Sequence, residues 1–174
     1  MAKRVELLKE VLPSCAGALF RHGVASTPNI LAVLSAAAKA VSIDLSPIEV
    51  SGPEEFESAF STWADGKVSA VVVVEIFLSQ SPAIAALAAK RHIASIGPVE
   101  LATAADLIGY GVDFPAMYRR TAVFADKILK GAKPGDIPIE LATKFQTAVN
   151  LKTAKALGID VPPTLLASAD LVIE

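Results

Sequence analysis

The sequence predicts an α/β fold, with a doubly wound parallel sheet flanked by helices. Short apolar runs alternate with segments of helical periodicity over about the first 110 residues, and this alternation is typical of a parallel sheet with crossover helices. The run at 69–74 is apolar and β-branched, as expected of a central strand covered on both faces. The 174 residues, 53% hydrophobic and 6% aromatic, suffice for one compact core without disulfides or metals.

Residues 1–112 are predicted to form one α/β lobe. Apolar spacing indicates its helices and strands, Thr27-Pro28 supplies an N-cap and a first-turn proline, and Glu54 and Glu55 suit a positive helix end. In order, the predicted elements are a helix at 3–11, a strand at 16–20, a helix from 27 to about 40, a β-like run at 41–50, a helix opened by 51–55, a strand at 69–74, a helix at 81–90, a strand at 93–96, a brief helix at 100–105 and a strand at 107–111.

Residues 113–174 are predicted to complete the same domain or to be swapped to a partner. Helical spacing begins at Asp113 and ends at Gly131, and a second helix ends at Gly158, because glycine favours the left-handed residue that closes a helix. The predicted elements are a helix at 113–130, a turn at 133–136, a strand-like run at 138–141, a strand at 145–150, a helix at 153–157 and a last short helix after 162–163.

The charge balance and the apolar runs exclude two classes of partner. Sixteen basic and 18 acidic residues give a net charge of −2, so no basic field exists to hold nucleic acid. The longest apolar run, at 68–78, is too short to cross a bilayer and contains Glu75, so we expect no membrane insertion.

The first 15 residues are not expected to act as an export signal. Lys3-Arg4 and the run that ends at Cys15 resemble a lipoprotein signal, but Glu6, Lys9 and Glu10 interrupt the hydrophobic region that such a signal requires. The chain as it stands is therefore expected to be cytoplasmic, with Cys15 a buried small residue in a strand.

No motif points to catalysis or to a cofactor. The chain lacks the glycine-rich nucleotide-binding motifs and the G-x-S-x-G elbow. His22 and His92 are far apart in sequence and belong to no H-E-x-x-H or Cys/His cluster. We therefore expect no catalytic residue, no metal and no cofactor.

The C-terminal third carries a set of specific motifs. They are YGVD at 110–113, YRRTA at 118–122, DKILKGAKP at 126–134, DIPIE at 136–140, TKF at 143–145, NLKTAKALG at 150–158 and PPTLLA at 162–167. This part closely resembles ABC-transporter substrate-binding proteins related to tryptophan/tyrosine-type uptake binders, of the type I periplasmic-binding-protein fold. The preceding residues resemble the family in layout.

The resemblance implies a solute-binding component of an ABC uptake system, or its surviving C-terminal lobe. Such a protein binds a small organic ligand, such as an amino acid, without catalysis and presents it to a permease. The resemblance places relatives in the periplasm or outside the cell. An alternative of another class is a cytoplasmic homo-oligomeric sensory or structural remnant with no transport role.

The sequence also departs from the family in length, since such binders are usually near twice as long and have two similar lobes. This chain resembles the second lobe with its closing segments. The helix at 113–130 normally packs on the first lobe, and here its apolar face, formed by Phe114, Met117, Tyr118 and Ile128, would lack that cover. Because large apolar faces seldom persist on monomers, we predict self-association, most simply as a homodimer.

Candidate ligand-binding residues follow the predicted strands, because open parallel sheets bind ligands beyond the carboxyl ends of their strands. Hydroxyls would hold a carboxylate, acids an amino group, and aromatic rings an apolar side chain. The candidates are Arg21, His22, Ser26, Thr27, Ser51, Glu75, Phe77, Ser79, Gly97, Glu100, Tyr110 and Asp113.

Several candidates have a structural alternative. Thr27 and Ser51 are at least as well explained as N-caps, His22 as a solvated loop residue, Tyr110 as hinge packing and Asp113 as a helix cap. The family often carries Asn-Pro after the first strand and Asp after the third, whereas this sequence has Arg21-His22 and Glu75-Ile76 there. These departures put the transfer of family ligand contacts in doubt at those positions.

Overall fold

A computed structural model describes residues 1–12, 15–65, 68–103 and 105–174. Two parts of the sequence predictions lie outside these ranges. They are residues 13–14 of the run ending at Cys15, and residue 104 of the predicted brief helix.

The chain forms helices and strands in the predicted alternation. The strands are β1 (Cys15–Arg21), β2 (Asp44–Val50), β3 (Ala70–Val72), β4 (Ala94–Gly97), β5 (Ile108–Val112), β6 (Phe145–Asn150) and β7 (Leu171–Ile173). The helices are α1 (Ala2–Val11), α2 (Thr27–Ala40), α3 (Phe56–Asp65), α4 (Ser81–Lys90), α5 (Val99–Ala102), α6 (Phe114–Leu129), α7 (Leu151–Leu157) and α8 (Pro163–Ser168), with 3-10 turns at Pro53–Glu55, Glu75–Gln80 and Pro134–Asp136.

The strands form one mostly parallel sheet in the order β2-β1-β3-β4-β5-β6-β7. Strands β1 to β5 are mutually parallel where they pair, β6 is antiparallel to β5, and β7 is parallel to β6. This confirms the predicted α/β class with helices flanking the sheet. The strand order reverses between β1 and β3, which is the topological switch point where such sheets bind ligands.

The core consists of the sheet and the helix faces that cover it. Every residue of β3 and β4 is buried, which explains why these strands read as uninterrupted apolar runs. Trp63 of α3 is buried over β1, and it packs where Gly17 has no side chain. Cys15 lies in β1 as predicted, but it is half-buried rather than buried.

The structure corrects the predicted elements in three places. No strand forms at 138–141, β7 forms where none was predicted, and the strand predicted at 69–74 is limited to Ala70–Val72, with a 3-10 turn that begins at Glu75. The strand at β7 was missed because it has only three residues and no residue of it is fully buried. Its pairing with β6 is a long-range contact that periodicity does not reveal.

Helix α6 differs from the other long helices, because none of its residues is buried. It begins directly after the carboxyl end of β5 and returns through residues 130–144 to β6. Among the described residues, no helix has the length and apolar character needed to cross a membrane.

Candidate functional site

The carboxyl ends of β1 and β3 lie side by side at the switch point and enclose a small cavity. Its volume is about 180 Å³, and it is lined by the end of β1, the first residues of α2 and the segment 74–76. Arg21, Ser26, Thr27 and Glu75 are the predicted site residues that line it. Four candidates from two separate loops are thus brought together at the edge where the topology predicts a ligand.

Glu75 is held in place by an arginine that lies beneath it. Arg4 of α1 is only 1% exposed, and its Nη2 lies 2.5 Å from Oε1 of Glu75, whose side chain is 46% exposed. Arg4 also donates from Nε to the carbonyl oxygen of Tyr110 at 2.8 Å and from Nη1 to that of Val73 at 3.3 Å. The guanidinium therefore joins the ends of β3 and β5 and fixes one oxygen of the Glu75 carboxylate. Among the described residues, Oε2 of Glu75 has no hydrogen-bond donor.

Sequence reasoning missed Arg4 as a part of this site. The signal that could have found it is the helical spacing of Arg4 with Leu7, Leu8 and Val11, which places residue 4 on the apolar face of α1. Arg4 is buried together with Leu7 and Leu8. A charged residue on a buried face needs a partner, so its position already implied an ion pair in the core.

The hydroxyls at the start of α2 have different roles from those predicted. Ser26, not Thr27, is the N-cap residue, and its side chain makes no cap hydrogen bond. The Thr27 hydroxyl instead donates to the carbonyl oxygen of Arg21 at 3.2 Å, which ties the loop after β1 to α2. The Ser26 hydroxyl is exposed and uncommitted within the described part of the chain.

His22 follows β1 and Ser51 follows β2, which pairs with β1 on the side away from β3. His22 is exposed and its Nδ1 lies 3.1 Å from Oε2 of Glu49. The predicted capping role of Ser51 is not observed: its backbone N–H donates to Oε2 of Glu55 at 2.7 Å, and the residue before the 3-10 turn is Gly52. His22 and Ser51 do not line the cavity.

Four further candidates lie after β3 and at or after the end of β4. The Phe77 ring is buried and packs edge-on against Phe56 with centroids 5.7 Å apart, whereas Ser79 is exposed. Gly97 is buried at the end of β4, where a Cβ would come within 2.6 Å of Leu101 Cδ1. Close packing against Leu101 therefore explains why a glycine stands at residue 97. Glu100 is exposed on the short helix that follows.

The end of β5 presents an aromatic surface. The rings of Tyr110 and Phe145 stack with centroids 5.7 Å apart and planes 7° from parallel. Phe145 begins the antiparallel strand β6, opposite Val112, and sequence reasoning did not select it because its pairing partner was unknown. Asp113 caps α6, since its side chain accepts from the N–H of Ala116 at 2.8 Å.

A buried polar pair joins β4 to the residues just before β5. The Ser95 hydroxyl donates to Oδ1 of Asp106, both residues are buried, and Oδ2 of Asp106 has no partner among the described residues. Burial raises the pKa of Asp106 to about 7, while the Ser95 hydrogen bond and the Arg4 charge act to lower it. This carboxyl does not line the cavity.

Comparisons with known proteins show fold and family. Solved structures with the same fold include a conserved domain protein from Vibrio cholerae (TM-score 0.88, 23% identity, 98% of this chain and 59% of that one). They also include an ABC domain in complex with L-Trp from Streptococcus pneumonia (TM-score 0.88, 23% identity, 99% and 60%) and the ligand-free, open substrate-binding protein CD0873 from Clostridium difficile (TM-score 0.74, 21% identity, 98% and 59%). The chain spans about three fifths of the length of these proteins.

At 21–23% identity, the similarity to these structures establishes only the fold. The assignment to a family depends on the sequence match. No curated protein sequence matches the chain significantly. The family model described as ABC transporter substrate binding protein matches residues 1–173. The resemblance found in the C-terminal motifs thus extends over nearly the whole chain, and the chain belongs to the ABC transporter substrate-binding protein family.

Proposed function

We propose that the chain is a solute-binding component of an ABC uptake system and binds a small zwitterionic molecule, such as an amino acid, without catalysis. The observation that carries this proposal is that Arg21 and Glu75 line the same 180 Å³ cavity. A cation and an anion at one small cavity match the carboxylate and ammonium groups of an amino acid. Family membership supports ligand binding and transfer to a permease, and it supports a periplasmic or extracellular location.

Each of these side chains has a defined part in the proposed binding. Glu75 is oriented by Arg4 through Oε1, which leaves Oε2 to accept hydrogen bonds from an ammonium group. Arg21 is exposed at the end of β1 and would bind the carboxylate, with the uncapped Ser26 hydroxyl as an additional donor. The Tyr110–Phe145 stack offers a flat apolar surface at the same edge of the sheet, suited to an aromatic or aliphatic side chain. The L-Trp bound to the Streptococcus relative supports this chemistry.

The cavity is smaller than a complete ligand site. Small-molecule sites usually enclose about 300–1,000 Å³, whereas this one has about 180 Å³. This difference supports a site that has one wall on this lobe and a second wall on another lobe. We propose that a second copy of the chain supplies it, so that residues 1–112 form the binding lobe and part of 113–174 mediates pairing. Candidates that lie outside the cavity, such as His22, Ser51 and Ser79, would then face the second wall.

A second candidate function is a homo-oligomeric sensory or structural protein without a transport role. The complete absence of buried residues in α6 favours it, because this helix needs a partner whether or not a ligand binds. The two candidates differ in whether the cavity is occupied.

The test is isothermal titration of the purified chain with each of the common L-amino acids, together with native mass spectrometry for retained ligand. Glu75→Gln and Arg21→Gln are expected to weaken binding at least tenfold, since each removes one charge-assisted contact. Matched controls are Glu10→Gln and Lys39→Gln, which remove exposed charges near the opposite edge of the sheet and should leave affinity unchanged. Equal effects of the site and control variants would contradict the assignment, and no binding by any amino acid would favour the second candidate.

A further inference from the structure

The cavity at the switch point has a charged rim and an apolar interior. The charged rim consists of Arg21 and Glu75, which line the cavity and are both exposed. Most of the other lining residues are apolar, namely Phe20, Val24, Ile30, Val74 and Ile76.

The apolar lining reaches from the core to the surface. Phe20 and Val74 are 1% and 2% exposed. Val24 and Ile30 are half-buried, and Ile76 is 40% exposed. The cavity therefore changes from charged at the surface to apolar where it meets the core.

The hydroxyl groups of the lining do not make the interior polar. Thr27 is buried, but its hydroxyl already donates to the carbonyl oxygen of Arg21 at 3.2 Å, and Ser26 is exposed. A ligand group that enters the interior therefore meets no free side-chain donor or acceptor among the described lining residues. Because burying an unpartnered polar group costs free energy and burying an apolar group releases it, the interior favours an apolar group.

We propose that this interior holds the side chain of the bound amino acid, and that this side chain is apolar and no larger than a single ring. The inference rests on the proposed function, which assigns the ligand's carboxylate and ammonium groups to Arg21 and Glu75. With those groups at the charged rim, the α-carbon lies at the mouth of the cavity. The side chain is then the part of the ligand that can enter it.

The volume of the cavity sets the size of this side chain. A dry cavity of about 150 Å³ lined by Leu, Ile and Phe side chains binds one benzene molecule, and this cavity has about 180 Å³. The side chains of leucine, isoleucine and phenylalanine are of that size or smaller. An indole carries a second fused ring and exceeds it, so tryptophan is expected to be disfavoured.

A second apolar surface, the Tyr110–Phe145 stack, competes for the same side chain. Phe145 is 48% exposed, and neither ring lines the cavity. A side chain laid on this flat surface keeps one face in water, whereas a side chain in the interior is surrounded by apolar groups. Since the free energy of apolar burial grows with the area removed from water, the interior is the stronger of the two sites on this chain.

Ile76 lies at the mouth of the cavity and limits the size of the side chain. It directly follows Glu75 in the 3-10 turn Glu75–Gln80 and is 40% exposed, so it lines the cavity without being part of the core. Leu78 of the same turn is 39% exposed but does not line the cavity. The two residues form a matched pair, because shortening the side chain of Ile76 enlarges the cavity and shortening that of Leu78 does not.

The affinities of the purified chain for L-leucine and L-tryptophan, measured by isothermal titration, test the size limit. L-Leucine should bind at least about tenfold more tightly, since hydrophobic pockets discriminate small differences in size by factors of this order. Ile76→Ala should reduce this preference at least about fivefold, because the enlarged cavity admits the indole and loses contacts with leucine. Leu78→Ala should leave the preference within about twofold of the original.

A series of ligands gives an independent measurement. From L-alanine through L-valine to L-leucine, affinity should rise about threefold for each added carbon that enters the interior, and it should fall again at L-tryptophan. Affinity that is the same for L-alanine and L-leucine, or that continues to rise at L-tryptophan, overturns the inference and leaves amino-acid binding in place.

Two further outcomes separate this inference from the proposed function. If Phe145→Ala removes the preference and Ile76→Ala does not, the side chain lies on the aromatic stack, and only the inference falls. If no amino acid binds, the proposed function falls together with the inference.

Discussion

Nη2 of Arg4 lies 2.5 Å from Oε1 of Glu75 and joins the first helix to the carboxyl end of the third strand. The arginine is 1% exposed and the glutamate 46%, so the pair connects the core with the surface at the ligand edge. The carbonyl oxygens of Val73 and Tyr110 accept the other hydrogen bonds from the guanidinium to the strand ends. One buried cation thus both attaches α1 to the sheet and orients the carboxylate proposed to bind the ligand.

Arg4→Met is expected to lower the free energy of unfolding by about 3 kcal/mol. The variant keeps an unbranched apolar side chain but leaves two carbonyl oxygens without their donor, and breaking a buried ion pair has effects of this size. Urea unfolding at fixed protein concentration measures the change.

Lys39→Met is the matched control, since Lys39 is exposed near the end of α2. Its expected effect is within about 0.5 kcal/mol. An Arg4 variant as stable as this control would mean that the guanidinium contributes nothing to the attachment of α1.

The sequence predictions succeeded where a single element carries the information. Apolar runs and helical spacing located β1 through β6 and the long helices, and the glycine that ends α7 at Gly158 has the expected positive φ of 67°. Contacts between elements distant in sequence were not accessible in this way. The Arg4–Glu75 pair spans 71 residues and the Ser95–Asp106 pair is buried between neighbouring strands, so both depend on strand order.

The same distinction applies to the candidate site. The rule that ligands lie beyond strand ends selected Arg21 and Glu75, which line one cavity, but it also selected Phe77, whose ring is buried against Phe56. A strand end defines a region and not a side-chain direction. The 3-10 turn that starts at Glu75 sets those directions, and no periodic pattern marks it.

The stability of the protein is expected to fall between pH 4 and 7 through Asp106. Its pKa is raised from 3.8 to about 7 in the folded state, so over this interval the native state binds more protons than the unfolded chain. The contribution to stability is fully present below the unfolded pKa and is lost as the pH rises through the folded pKa. Its maximal slope is about −1.4 kcal/mol per pH unit.

Asp106→Asn removes this proton linkage with little change in side-chain size. Urea unfolding of both proteins across pH 4–8 should give a difference curve that descends up to about pH 7 and is flat above it. Groups such as Glu57, whose pKa is lowered by Arg91, are common to both proteins and cancel in the difference. A flat difference across the whole range would show that Asp106 titrates normally.

Gly17→Ala is expected to destabilise the protein by about 1–3 kcal/mol. A Cβ at residue 17 would approach the ring of Trp63 to 2.6 Å, and the ring is buried and donates from Nε1 to the carbonyl oxygen of Ser46 at 3.2 Å. Neither the indole nor the strand can move without loss of contacts.

Gly135→Ala provides the comparison, because no atom lies within 4 Å of a Cβ at residue 135. Its effect on thermal unfolding should be within about 0.5 kcal/mol. Equal melting temperatures for the two variants would mean that the Trp63 packing over β1 yields to an extra methyl group.

The cap of α6 determines the local stability of that helix. Asp113 accepts from the N–H of Ala116 at 2.8 Å, and no residue of α6 is buried, so tertiary packing contributes little and the cap contributes proportionally more. Asp113→Ala should remove about 1 kcal/mol of helix stability, seen as roughly a fivefold loss of amide hydrogen-exchange protection across α6. Ser26→Ala is the matched control, because Ser26 caps α2 without a side-chain hydrogen bond, and protection in α2 should not change. Protection of α6 that survives the loss of Asp113 would contradict this prediction and would mean that contacts other than the cap hold the helix.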